Sequence, residues 1–275
     1  LRDAGAVIEG IGGSVLIIQG GHKLHGIRYR VPADRIVAGT YLMGVLGTGG
    51  HIFLEDAPVA QMQSILQAAE LSGAEINISR DGLSVMADRK REPLPYVKTE
   101  VYPGFPTDMQ SLLMAVMTTA LGVSVIEETV FENRFRVVEQ LRKMGADIVL
   151  KGKQKAVVTG VDSLLGCEVT ADELRGGAAL VIAGCMAEGE TVVKNCHFIE
   201  RGYLQRFPEF RRNDICRVMM QAWRRICQKV KKQRRRLKKQ IEQARAAILE
   251  IIGASLSSGV WSRFLWQCLR RHIFI

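Results

Sequence analysis

The sequence predicts an α/β protein built from a repeated unit of helix, strand, helix, strand and strand. A helix that ends at a Gly-Ala pair and runs directly into a strand occurs three times, at Gly5, Gly73 and Gly145. Glycine at such a position supplies the left-handed conformation that stops a helix. An acidic residue that introduces a helix without a polar face also recurs, at spacings of 74 and 65 residues. Self-similarity of this kind indicates a structural repeat.

The helices of the repeat are of two kinds, and this difference predicts the architecture. Three helices are apolar or small on nearly every side, which is typical of an enclosed helix: Ile36 to Leu46, Met109 to Leu121, and Leu174 to Ala187. Two others, Ala57 to Ser72 and Phe131 to Met144, place apolar residues on one face only. We therefore expect three central helices wrapped by strands and outer helices.

Short strands complete each unit. One set of strands follows the central helices. Each Gly-Ala pair starts a further strand, and the second set comes directly after that strand. The predicted strands are His51 to Glu55, Val123 to Glu128 and Glu190 to Lys194 in the first set, and Ser14 to Gln19, Gly82 to Ala87 and Ala156 to Gly160 in the second.

The starts of the central helices form the first candidate site. Helices related by a repeat run parallel, so Asp34, Asp108 and Glu173 should lie on one face together with Arg35 and Arg175. Helix N-termini carry partial positive charge and attract anions. Asp108, or Thr107 before it, also suits an N-cap, a role that needs no ligand. Three such acids with arginines between them favour a site for a negatively charged ligand.

Charge divides the chain into two unlike parts. Residues 201–275 contain 19 Lys and Arg against 4 Asp and Glu, whereas residues 1–200 contain 19 against 24. The longest apolar run, residues 177–187, is too short to span a bilayer. The six cysteines include no CxxC pair and no metal-ligand spacing, which favours free thiols in a reducing cytoplasm.

Five strings of residues, taken in chain order, are specific enough to indicate a family. They are Pro32–Thr40, Phe105–Gln110, Glu128–Phe135, Leu174–Leu180 and Ile199–Tyr203. These strings resemble the UDP-N-acetylglucosamine 1-carboxyvinyltransferases, a family of enolpyruvyl transferases. The resemblance implies an inside-out α/β barrel-like domain, two of which form the family fold. It divides the chain into the end of a first domain (1–32), a second domain with an incomplete last unit (33–203), and a tail unlike the family (204–275).

The resemblance implies a transfer of enolpyruvate from phosphoenolpyruvate to UDP-N-acetylglucosamine with release of phosphate, a step of peptidoglycan precursor synthesis that needs no cofactor or metal. Asp108 matches the general base that takes the proton of the sugar hydroxyl. Val130 matches a contact to the nucleotide sugar. Arg134 and Arg175 match residues that hold the carboxylate of phosphoenolpyruvate, and Arg201 matches one near its phosphate.

The chain departs from the family in three places. Glu173 stands where the family has an aspartate, so it is left out of the predicted site. The mobile loop with the proton-donating cysteine and the lysine that binds phosphoenolpyruvate are missing, and the chain begins at Leu1. We therefore expect a fragment that is inactive without the first domain. The alternatives are a non-catalytic sugar-nucleotide-binding fragment and the related shikimate-pathway enolpyruvyl transferase.

The tail, residues 204–275, interrupts the repeat in the middle of a unit. Its composition changes abruptly and the last strand of the family is missing, so we interpret it as translation past a frameshift. The basic run from Lys229 to Lys239 also suits a helix for nucleic acid or an anionic membrane. We expect neither partner for residues 1–203.

Overall fold

The computed structural model describes residues 1–203. The predictions made for the tail fall on residues 204–275 and lie outside the described residues. The described residues divide into two compact units, the first from Leu1 to Asp34 and the second beginning at Arg35. No helix among residues 1–203 is long and apolar enough to cross a membrane.

The first unit contains a small antiparallel hairpin. A single helical turn at Arg2–Ala4 ends at Gly5, which has a φ of 96°. Strand β1 (Val7–Glu9) then pairs with β2 (Ile17–Gln19). The predicted order of helix end, glycine and two strands is confirmed here.

The second unit is organised around three helices that pack on one another, α1, α3 and α5. Most of their residues are buried, and Leu112, Leu113 and Met114 of α3 are completely inaccessible to solvent, whereas Tyr41 of α1 is 42% exposed. The prediction of enclosed helices is therefore confirmed for α3 and α5, and for α1 except at Tyr41. The helices of this unit are α1 (Arg35–Thr48), α2 (Gln63–Leu71), α3 (Thr107–Met117), α4 (Val137–Lys143), α5 (Leu174–Met186) and α6 (His197–Glu200).

Glycines let the central helices approach closely. A Cβ atom on Gly39 of α1 would lie 2.9 Å from the sulfur of Met109 in α3. A Cβ atom on Gly47 would lie 2.8 Å from the sulfur of Met186 in α5. Both distances are too short for a real contact, so a larger residue at either position would displace a methionine side chain between the helices.

The described strands of the second unit pair in three separate sheets around the helices. The first sheet is antiparallel with the order β3-β5-β4, and the second has the order β6-β7-β9-β8 with only β6 and β7 parallel. The third is the parallel pair β10-β11. The strands are β3 (Gly50–Glu55), β4 (Glu75–Ser79), β5 (Gly82–Ala87), β6 (Val97–Lys98), β7 (Val123–Glu127), β8 (Asp147–Lys151), β9 (Lys155–Thr159), β10 (Glu168–Thr170) and β11 (Val192–Lys194).

Both outer helices begin later than the sequence predicted. Pro58 and a short 3₁₀ turn precede α2. Before α4, the backbone amides of Val130 and Phe131 donate to the carboxylate of Glu128, which holds this segment in a loop. The apolar spacing from Phe131 onward therefore belongs partly to a loop that packs on the core.

Arg91 closes the C-terminal ends of α1 and α3. Its side chain donates to the carbonyl oxygens of Gly47 at 2.8 Å, Val116 at 3.0 Å and Arg89 at 2.8 Å, and the residue is only 4% exposed. Helix C-termini present unpaired carbonyls that favour a cation. Burial, with a smaller effect of Arg89, lowers the pKa of Arg91 to about 10, so the guanidinium remains charged at neutral pH.

Candidate active site

The start of α3 differs from the predicted N-cap. Pro106 occupies the cap position with an extended backbone, and no side chain caps the helix. Thr107 instead donates to Glu128 at 2.8 Å, and Asp108 accepts from two arginines. The N-cap prediction was wrong because these side chains have partners that are distant in the sequence.

Asp108 is shared by two guanidinium groups. Its Oδ1 accepts from Arg134 Nη2 at 2.7 Å, and its Oδ2 accepts from Arg175 Nη2 at 3.3 Å. Glu173 Oε2 lies 3.6 Å from Arg134 Nη1. We call these four residues the arginine rim. The two arginine side chains are 18% and 12% exposed, and the two acids are 36% and 34% exposed, so the rim is open to solvent mainly on its acidic side.

Glu173 is the N-cap of α5. Its carboxylate accepts from the backbone amides of Arg175, at 2.9 Å, and Gly176. One side chain therefore caps the helix and reaches Arg134. The extra methylene relative to aspartate is compatible with both contacts.

Arg175 is held from the side opposite Asp108 by Tyr203. The phenol oxygen accepts from Arg175 Nη1 at 3.2 Å and hydrogen-bonds Thr40 of α1 at 2.8 Å. Burial alone would lower the pKa of Arg175, but Tyr203 and Asp108 outweigh it, so the pKa is raised above its ordinary value. The charge on Arg175 is therefore permanent, and its position is fixed by α1 as well as α3.

Arg134 is fixed by an aromatic contact. Its guanidinium carbon lies 4.9 Å from the ring centre of Phe131, within the range of a cation–π interaction. Its Nε atom is buried and has no hydrogen-bond partner among residues 1–203. Arg134 therefore keeps one donor that the described residues leave unused.

Two clefts meet at the arginine rim. Val130, Phe131 and Arg134 line both of them, so the loop after β7 forms the wall between the clefts. Val130 is 38% exposed and presents its side chain to this surface. The first cleft also contains Arg35, Gln61, Ser64, Glu100, Tyr102, Thr107 and Asp108, and the second also contains Glu132, Asn133, Arg136 and Glu173.

The structure brings together four of the five predicted site residues. Asp108, Arg134 and Arg175 are in direct contact, and Val130 lines the adjoining clefts. Arg201 follows α6, is exposed, and makes no hydrogen bond or ion pair with the other four. Within residues 1–203, no group of three or more His, Cys, Asp or Glu is arranged to hold a metal ion.

Sequence reasoning missed Glu128 as part of this site. It ends an alternating strand pattern, where an acid is ordinarily solvent-exposed, yet its side chain is completely buried. The only signal in the sequence was its place at the head of the string Glu128–Phe135. The chemistry of the whole arrangement is that of a carboxylate able to accept a proton, with two arginines suited to an anion.

Comparisons with known proteins identify relatives of this chain. UDP-N-acetylglucosamine 1-carboxyvinyltransferase 1 of Caldanaerobacter subterraneus is 43% identical over 205 residues, covering 74% of this chain and 49% of that protein. The UDP-N-acetylglucosamine 1-carboxyvinyltransferase of Brucella ovis is 45% identical over 203 residues, covering 74% and 47%. The chain thus spans about half the length of the curated relatives it matches.

A solved structure shares the fold. The enolpyruvyl transferase NikO from Streptomyces tendae superposes with a TM-score of 0.65 at 23% identity, covering 74% of this chain and 48% of that one. A family model described as EPSP synthase (3-phosphoshikimate 1-carboxyvinyltransferase) matches residues 1–212. Since this match covers most of the 275 residues, the chain belongs to the EPSP synthase family of carboxyvinyl transferases.

Proposed function

We propose that this chain provides the general base and the arginine clamp for transfer of enolpyruvate from phosphoenolpyruvate to UDP-N-acetylglucosamine, with release of phosphate. The observation that carries the proposal is the bridging of Asp108 by Arg134 and Arg175, at 2.7 and 3.3 Å. The curated relatives at 43% and 45% identity support the choice of acceptor. The product would enter peptidoglycan synthesis in the cytoplasm.

The two arginines determine the sequence of steps in the proposed reaction. The carboxylate of phosphoenolpyruvate pairs with guanidinium groups in the same geometry as Asp108, so it competes with Asp108 for Arg134 and Arg175. Its binding would release the Asp108 carboxylate toward the sugar hydroxyl. The hydroxyl oxygen then forms a bond to C2 of phosphoenolpyruvate while its proton passes to Asp108. A positioned general base contributes about 10²- to 10⁴-fold to such a step.

The other participants complete the proposal. Val130 would contact the nucleotide sugar from the wall between the two clefts. Arg201, which is exposed beyond α6, would approach the phosphate only when the substrates are bound. Carbon C3 of phosphoenolpyruvate gains a proton as the bond from the sugar oxygen to C2 forms. C3 then loses a proton when phosphate leaves with the electrons of its C2–O bond, and this restores the double bond of the enolpyruvyl group. We infer that the half of the relatives' length not covered by this chain supplies the proton donor for C3 and the remaining contacts to phosphoenolpyruvate.

Phosphate release tests the proposal. The chain is mixed with the separately expressed first half of the Brucella ovis relative, and phosphate is measured with phosphoenolpyruvate and either UDP-N-acetylglucosamine or 3-phosphoshikimate. We expect release with the nucleotide sugar only. Release with 3-phosphoshikimate instead would assign the acceptor of the family model's description. Binding of UDP-N-acetylglucosamine without release would indicate a non-catalytic sugar-nucleotide-binding protein.

A further inference from the structure

Glu128 is a buried carboxylate whose neighbours all donate hydrogen bonds to it. Its Oε1 accepts from the backbone amides of Val130 at 2.9 Å and Phe131 at 3.0 Å, and its Oε2 accepts from the Thr107 hydroxyl at 2.8 Å. The side chain is 0% exposed. A carboxylate is costly to bury, and its three uncharged donors offset that cost only if they remain in place.

These bonds join two of the three segments that carry the arginine rim, the start of α3 and the loop before α4. Thr107 begins α3 and is followed directly by Asp108. Phe131 lies in the loop before α4, and its ring contacts the guanidinium of Arg134. Arg134 in turn donates to Asp108. The contacts therefore form a closed ring from Glu128 through Phe131, Arg134, Asp108 and Thr107 back to Glu128.

The backbone around Glu128 makes this ring rigid. The Glu128 amide donates to Gln154 O at 2.8 Å, and the Thr129 amide donates to the Thr99 hydroxyl at 3.0 Å. The loop is thus anchored to the turn between β8 and β9 and to the residue that follows β6 before it reaches Val130. The contacts of Glu128 therefore fix the start of α3 and the loop before α4 relative to the second sheet.

We propose that Glu128 is a positioning residue that sets the distance between Asp108 and Arg134 and fixes Val130 in the wall of the clefts. The inference rests on the proposed function, because those three residues act there as base, anion clamp and nucleotide-sugar contact. Glu128 itself is buried and lines neither cleft. Its chemistry differs from that of Glu173, which caps a helix and is one-third exposed.

Thr107→Val offers a test without deleting a buried charge, because valine has nearly the shape of threonine and lacks only the hydroxyl. Thr118→Val is the matched control, since the Thr118 hydroxyl donates to Ala115 O at 2.7 Å beyond the C-terminal end of the same helix and is 0% exposed. Thr107→Ser keeps the hydroxyl and is the rescue variant. Each 275-residue variant is compared for amide hydrogen exchange at Val130 and Phe131 and for its Kd for UDP-N-acetylglucosamine.

We expect Thr107→Val to speed exchange at both amides and to raise the Kd by about tenfold, the loss typical of one hydrogen bond to a charged group. Thr118→Val should change neither value by more than about twofold, although it lowers the melting temperature, and Thr107→Ser should behave like the wild type. Equal effects of Thr107→Val and Thr118→Val would overturn the inference. If the wild-type chain does not bind the nucleotide sugar, the proposed function fails, and the amide exchange then decides the role of Glu128 independently.

Discussion

The two ends of the three-helix core use arginine in opposite ways. At the C-terminal end, Arg91 is 4% exposed and donates only to backbone carbonyls. At the N-terminal end, Arg134 and Arg175 donate to the side chain of Asp108, which is 36% exposed. Backbone carbonyls cannot leave Arg91 without disrupting α1 and α3. A partly exposed carboxylate can exchange with a carboxylate from solution, so of these two ends it is the rim that can bind an anion in this way.

Arg91 and the two rim arginines differ in their hydrogen-bond partners, so the role of an arginine is indicated by its partner rather than by the arginine alone. Each end carries the charge that its helix termini allow, with a cation at the carbonyls and an acid at the amides. The rim pairs two arginines with two acids beside helix ends that are partly positive. A substrate carboxylate would therefore bind there by displacing an acid from its arginine.

Asp108→Asn should have the largest effect on turnover and only a small effect on stability. Without the carboxylate, turnover of the reconstituted enzyme is expected to fall by about 10²- to 10⁴-fold, because no general base remains. The free energy of unfolding should change by less than about 1 kcal/mol, since partly exposed ion pairs contribute little. Phosphate release and urea denaturation measure the two effects. Wild-type turnover in this variant would remove Asp108 as the base.

Arg91→Met should instead lower stability. Three hydrogen bonds are lost, two of them to the helix ends and one to Arg89, at about 1 kcal/mol each, so the free energy of unfolding is expected to fall by about 3 kcal/mol. Arg142→Met is the control, because Arg142 also donates to a backbone carbonyl, that of Ile148, but its side chain is 40% exposed. It should cost about 1 kcal/mol or less. Similar melting temperatures for both variants would show that Arg91 does not hold the helix ends.

Glu173 provides a smaller test between these extremes. Glu173→Ala removes the cap of α5 and should lower the free energy of unfolding by about 1 kcal/mol. Glu173→Asp keeps a good capping residue and should change stability by less than about 0.5 kcal/mol, although its shorter side chain loses the approach to Arg134. Urea denaturation of both variants gives the comparison. If the aspartate variant is as unstable as the alanine variant, the contact to Arg134 matters more than the cap.

The sequence was sufficient for the features that depend on local pattern. The enclosed helices could be predicted because apolar residues cover all their sides, and the helix ends because Gly5, Gly73 and Gly145 adopt positive φ angles. The contact of Asp108 with Arg175 followed from the repeat, which places the helix starts on one face. These inferences need only the periodicity of the chain.

The remaining features depend on partners that are distant in the sequence. Thr107 could not be recognised as a partner of Glu128, since 21 positions separate them and either residue alone suits a more ordinary role. The late start of α4 has the same cause, because the Glu128 carboxylate takes the amides of Val130 and Phe131. The exposed position of Arg201 follows from the path of the chain beyond α6 and not from its motif.

Titration with phosphoenolpyruvate tests the contrast between the two ends most directly. Calorimetry is performed at low temperature, where every variant is folded, on the reconstituted wild type, Arg175→Met and Arg91→Met. The rim assignment predicts that Arg175→Met weakens binding by tenfold or more, as expected for a lost charge-assisted pair of about 1.5–3 kcal/mol, and that Arg91→Met binds like the wild type. Equal affinities of Arg175→Met and the wild type would contradict the assignment of the arginine rim as the anion site.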